Sequence, residues 1–104
     1  MKNAKKFEKN LWGSTIERER RRRIKVSIAA YAYEILNDSI IDDFEYDKLC
    51  REINPEINTG NKVLDKFFRE QFDPSTGYWV HQHPESYKLK EIYYRYYHEK
   101  QNNN

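Results

Sequence analysis

Two helix-start signatures, Ser14-Thr-Ile-Glu17 and Asp42-Asp-Phe-Glu45, bracket one apolar stripe and one polar break. In each, the first side chain suits the orphan amide three residues on, and the glutamate reaches back to the cap amide. The first signature opens a helix predicted over 15–37, with Ile24, Ile28, Tyr31, Ala32 and Ile35 at steps of three and four. Asn37-Asp38-Ser39 ends it. The second opens a helix over 43–54, with Tyr46, Leu49, Cys50 and Ile53 on one face, before Pro55 biases Asn54 away from the helical region. A connection this short makes the two helices antiparallel neighbours.

After a turn-rich loop from Asn54 to Gly60, Val63, Leu64, Phe67, Phe68 and Phe72 mark the apolar side of a third helix. Asp73-Pro-Ser-Thr-Gly77 reads as a chain reversal. The weak alternation across residues 78–83 predicts a short extended segment. Pro84 then suits the first position of a final helix, which carries Leu89, Ile92, Tyr93, Tyr96 and Tyr97 as its core stripe and leaves Tyr94 outside it. The fold class expected is all-α: about four helices in one domain of residues 1–104. Residues 1–13 form a basic arm, 14–54 the hairpin, 61–100 the C-terminal helices and 101–104 a frayed tail.

Composition narrows the class. At 38% hydrophobic and 35% charged residues the chain is polar for a globular domain, yet nine tyrosines, five phenylalanines and two tryptophans supply core area. No apolar run reaches the length of a membrane span, and no signal-peptide core follows the N-terminal lysines. A lone cysteine, Cys50, allows no internal disulfide, which fits a reducing cytoplasm. On the apolar face of the second helix, Cys50 reads as a small buried hydrophobe rather than a nucleophile. His81, His83 and His98 with Cys50 lack the tight grouping of a zinc site, so no metal is expected.

The stretch from Tyr33 to Leu49 carries the chemistry. Tyr33, a gap, then Asp43, Tyr46 and Asp47 in an Asp-x-x-Tyr-Asp pattern resembles the N-terminal helical domain (domain Ia) of bacterial NAD-dependent DNA ligases. The resemblance covers roughly residues 24–54. It implies that Tyr33 would stack on a nicotinamide ring, with Asp43, Tyr46 and Asp47 completing a half-site for nicotinamide mononucleotide or NAD. An aromatic face attracts a cationic pyridinium, and carboxylates suit its charge and the ribose hydroxyls. Glu34 stands where the family has histidine, an acid in place of a phosphate donor. No Lys-x-Asp-Gly nucleophile motif occurs, so no enzyme activity and no obligatory cofactor are expected. The Pro74-Ser-Thr-Gly77-Tyr-Trp79 run through His83-Pro84-Glu85 is similar to the tails of small phage-encoded proteins related to this domain.

Charge supplies the other candidate surface. Residues 1–23 hold nine bases and three acids, whereas the remainder holds ten bases and fourteen acids. Arg18, Arg20, Arg21, Arg22 and Arg23 lie in the first turns of a helix, where positive charge opposes the helix dipole. Something other than local helix stability therefore favours them. They suit about three to five nucleic-acid phosphates, with steep salt dependence, or an acidic protein face; Tyr94 near Arg95 suits a protein interface. The leading expectation is a non-catalytic, phage-encoded protein that docks on a host macromolecule, a nucleic-acid enzyme or nuclease-based defence system, and inhibits it. A nicotinamide nucleotide module and a nucleic-acid binder are the alternatives.

Overall fold

The computed structural model describes residues 14–98; the predicted basic arm and frayed tail lie outside them. Among the described residues there are four α-helices: α1 (Thr15–Leu36), α2 (Asp43–Glu52), α3 (Lys62–Glu70) and α4 (Ser86–Tyr96). No strand occurs among the described residues. The all-α expectation holds, and α1 is the axis on which α2, α4 and the segment before α4 pack.

The N-cap half of both predicted capping boxes forms, whereas the glutamates pair elsewhere, Glu17 with Arg20 and Glu45 with Lys25. Ser14 accepts from the Glu17 amide at 3.2 Å and Asp42 from the Glu45 amide at 2.7 Å. Helix α1 stops at Asn37, which takes the left-handed conformation (φ 55°), and the following Asp38 amide returns to the Ala32 carbonyl at 2.9 Å. Asparagine tolerates that conformation better than most residues. Asn61 caps α3 by accepting from the Leu64 amide at 3.1 Å.

Residues 78–83 do not form an extended segment. Tyr78–Gln82 is a 3₁₀ turn, closed by Val80 N–H to Gly77 O (3.1 Å) and His83 N–H to Val80 O (3.0 Å). A strand would send the adjacent Trp79 and Val80 to opposite faces; the tight turn buries both, at 4% and 0% exposure. Pro84 also lies outside the final helix, because the Glu85 amide donates to His83 Nδ1 (3.0 Å) and α4 starts at Ser86.

The apolar stripe of α1 is rotated from the expected one. Ile24 and Ile35 face solvent, while Val26, Ile28, Ala29, Ala30, Tyr31 and Ala32 are buried. The small residues let the helix sit close to its neighbours, and the aromatic bulk comes from Phe67, Phe68, Phe72 and Trp79, whose rings interlock at centroid distances of 5.0 to 6.1 Å. On α4, Tyr93 is buried and Tyr97 half-buried, but Tyr96 is exposed, contrary to its expected core place. The Tyr93 hydroxyl donates to Asp38 Oδ2 at 2.6 Å and ties α4 to the end of α1. That bond to a carboxylate, aided by burial, pushes the phenol up to about 12. Cys50 is buried as expected, and burial raises its thiol pKa.

The polar side of the core accounts for one member of the arginine run. Arg23 is 5% exposed and lies between Glu19 (0%) and Asp65 (3%). Its Nε donates to Glu19 at 2.8 Å, one terminal nitrogen to Asp65 at 2.8 Å, and the other to the carbonyls of Asn54 (2.9 Å) and Ile57 (3.0 Å). Its guanidinium carbon also lies 5.0 Å from the Phe68 ring centroid. Asp65 accepts further from the Thr59 amide and hydroxyl, and Glu19 from Arg22 and the Asn54 amide. Burial raises the Asp65 pKa, but the bonds from Thr59 and Arg23 outweigh it and hold the carboxyl below its ordinary range. One buried guanidinium thus fastens α1, the 54–60 loop and α3 together.

Candidate functional site

The second half of α1 and the first turn of α2 diverge around a cleft of about 270 Å³. Tyr33 and Glu34 line it from α1, and Asp43, Tyr46 and Asp47 line it from α2. The i, i+3, i+4 spacing on α2 places the last three on one face. All four residues predicted for the nicotinamide half-site therefore meet in one cavity. Its third wall, the reversal at Ser75, Thr76 and Gly77, was not foreseen as part of a site.

The wall is held by two donors on one acceptor. Trp79 Nε1 donates to the Thr76 carbonyl at 2.7 Å and the Tyr46 hydroxyl donates to the same oxygen at 3.3 Å. Burial raises the pKa of the half-buried Tyr46 phenol far above its ordinary value, so it is a neutral donor. Tyr33 is 60% exposed, leaving a ring face open to a ligand at the rim. Glu34 forms part of the lining and sits 3.5 Å from His81 Nε2, so a histidine borders the cleft from the 3₁₀ turn.

Among the described residues three carboxylates line this cleft and no lysine or arginine does. Among the described residues Asp43 and Asp47 form no ion pair. An acidic wall with an exposed aromatic face attracts a flat cation and repels phosphate. No group of three acidic, histidine or cysteine side chains is placed to hold a metal among the described residues.

The arginine surface is smaller than expected. Arg23 must be withdrawn as a contact for a partner or nucleic acid, because it is buried with both ends of its guanidinium engaged. Arg22 pairs with Glu19 at 2.7 Å and Arg20 with Glu17 at 3.0 Å; Arg20 also donates to the Thr59 carbonyl. Arg18 and Arg21 stay exposed on α1. Tyr94 is 42% exposed and lies one turn from His98, with ring centroids 4.8 Å apart.

Sequence reasoning also missed two buried polar side chains, Ser27 and His83. Ser27 is 1% exposed and its hydroxyl has no hydrogen-bond partner among the described residues. His83 packs edge-on against Phe67 at 5.2 Å, and burial pushes its pKa down to about 4. The folded state therefore resists a proton that the unfolded chain binds below about 6.5. Stability should be complete above that pH and fall as pH drops toward 4, with a loss of about 2 kcal/mol between pH 7 and 5. Urea unfolding at the two pH values measures it, and His83→Gln should remove most of the difference.

Comparison with protein-family models, with characterised proteins and with solved structures found no match. No helix among the described residues is long and apolar enough to cross a membrane.

Proposed function

We propose that this chain is a non-catalytic binding module whose recognition element is the cleft between α1 and α2, taking a flat cationic ring joined to a sugar, as in the nicotinamide riboside half of nicotinamide mononucleotide or NAD. The observation that supports it is the convergence of Tyr33, Asp43, Tyr46 and Asp47 on one acidic cavity. Tyr33 would stack on the ring at the rim, and Asp43 and Asp47 would balance its charge and accept from ribose hydroxyls. Because no lysine or arginine among the described residues lines the cleft, the phosphate contributes little and belongs in solvent.

Calorimetry tests this directly. Nicotinamide riboside should bind at least as well as the mononucleotide, and Tyr33→Ala should weaken both by about tenfold, the cost of one stacking contact. Binding that is absent at millimolar ligand, or indifferent to Tyr33→Ala, rejects the reading.

A specific observation also supports the docking reading. Tyr87, Glu91 and Tyr94 recur at helical spacing along one side of α4, and Tyr87 is 66% exposed. Tyrosine on an exposed helix face is the composition of a protein interface. On this reading a host nucleic-acid enzyme or nuclease covers α4. Tyr87→Asp with Tyr94→Asp would abolish its inhibition, whereas Tyr33→Ala would leave it intact.

A further inference from the structure

A second cavity, of about 300 Å³, lies against the first half of α1, away from the acidic cleft. Phe68 from α3, with Leu89 and Ile92 from α4, provides an apolar body. Arg20 and Lys88 line it as well, and their side chains are 46% and 54% exposed, so they stand where the cavity meets water. Each has a carboxylate partner one turn away, Glu17 at 3.0 Å from Arg20 and Glu85, itself part of the lining, at 3.7 Å from Lys88. The Arg20–Glu17 pair is exposed and exchanges at little cost, while Arg20 also donates to the Thr59 carbonyl. The same cavity is lined by Ser27, the buried hydroxyl without a hydrogen-bond partner among the described residues. A buried hydroxyl without a partner marks a place for a ligand oxygen or an ordered water. His83 adds a neutral ring: Nδ1 accepts from the Glu85 amide, so the proton resides on Nε2.

We propose that this cavity binds a compact monocarboxylate with an apolar or aromatic body and one hydrogen-bonding oxygen at the end opposite the carboxylate. The carboxylate sits at the mouth between Arg20 and Lys88, the body lies on Phe68, Leu89 and Ile92, and the far oxygen meets Ser27. A volume at the lower end of the range for small-molecule pockets limits the body to about one ring. The opposite charge of the two cavities separates their ligands: an anion is repelled from the α1–α2 cleft and a pyridinium from this one. The assignment is independent of the nicotinamide reading.

The test uses 4-hydroxyphenylacetate, phenylacetate and 4-hydroxybenzyl alcohol in NMR titrations of the full chain. 4-Hydroxyphenylacetate should give saturable shifts at Ser27, Leu89 and Ile92, and should bind about fivefold more tightly than phenylacetate, the effect of one hydrogen bond. Ser27→Ala should erase that preference. Lys88→Gln, at an exposed position, should weaken both acids by about fivefold and leave the uncharged alcohol unchanged. Tyr33→Ala should change none of these values. Absence of saturable binding up to the solubility limit overturns the proposal. So does equal affinity for the two acids, or for acid and alcohol, in the wild-type protein. Ile24→Trp, at a half-exposed residue of the same cavity, should block all three ligands without unfolding the chain.

Discussion

Replacing Arg23 by methionine should cost about 3 to 5 kcal/mol, enough to unfold a substantial fraction of a domain this size. The loss comes less from the missing attraction than from what stays behind. Glu19 and Asp65 are both almost fully buried, and each would lose a principal partner. The carbonyls of Asn54 and Ile57 would lose their donor as well. Substituting all three charged residues by apolar ones should recover less than half of the loss. In a simple ion triad such a swap can be neutral, but here the Thr59 and Asn54 amides and two loop carbonyls would remain unsatisfied. Urea unfolding of the single and triple variants decides the matter. A cost below about 1 kcal/mol for Arg23→Met would show that the network is dispensable.

The second large effect is expected at Trp79, where one side chain joins the core to the cleft. Trp79→Ala removes the ring that touches Phe67, Phe68 and Phe72, and should destabilise the fold by about 3 to 5 kcal/mol. Trp79→Phe separates the two roles. It keeps much of the apolar volume but deletes the indole donor to the Thr76 carbonyl, leaving that oxygen bonded by the Tyr46 hydroxyl alone. Stability should then fall by only about 1 to 2 kcal/mol. Ligand affinity at the α1–α2 cleft should drop in proportion to the freedom gained by residues 75–77. Melting curves combined with calorimetry separate these outcomes, and full affinity in Trp79→Phe would remove the 73–77 reversal from the site.

The features legible in the sequence are those encoded over a few residues. Ser14, Asp42 and Asn37 set helix ends through bonds to amides and carbonyls nearby in the chain, so their types and spacing sufficed. The same locality grouped Asp43, Tyr46 and Asp47. The extended reading of residues 78–83 failed because Trp79 and Val80 both gain burial in a 3₁₀ turn, which depends on a core that α1 and α3 supply from afar. Ile24 and Ile35 misled in the same way: their periodicity is helical, but the neighbours chose the face carrying Ala29, Ala30 and Ala32.

The arginine run shows the division most clearly. By itself the sequence determined that α1 begins with a costly concentration of positive charge, that this charge opposes the helix dipole, and that a tyrosine and an acidic motif flank the turn after it. Only the tertiary structure decided that Arg23 points inward, because its partners Asp65, Asn54 and Ile57 are distant in sequence and converge only when the 54–60 loop and α3 fold back on α1. Caps and periodicity arise from bonds within a turn or two of chain. Burial of a charge depends on which side chains meet across the fold, and no local pattern carries that information.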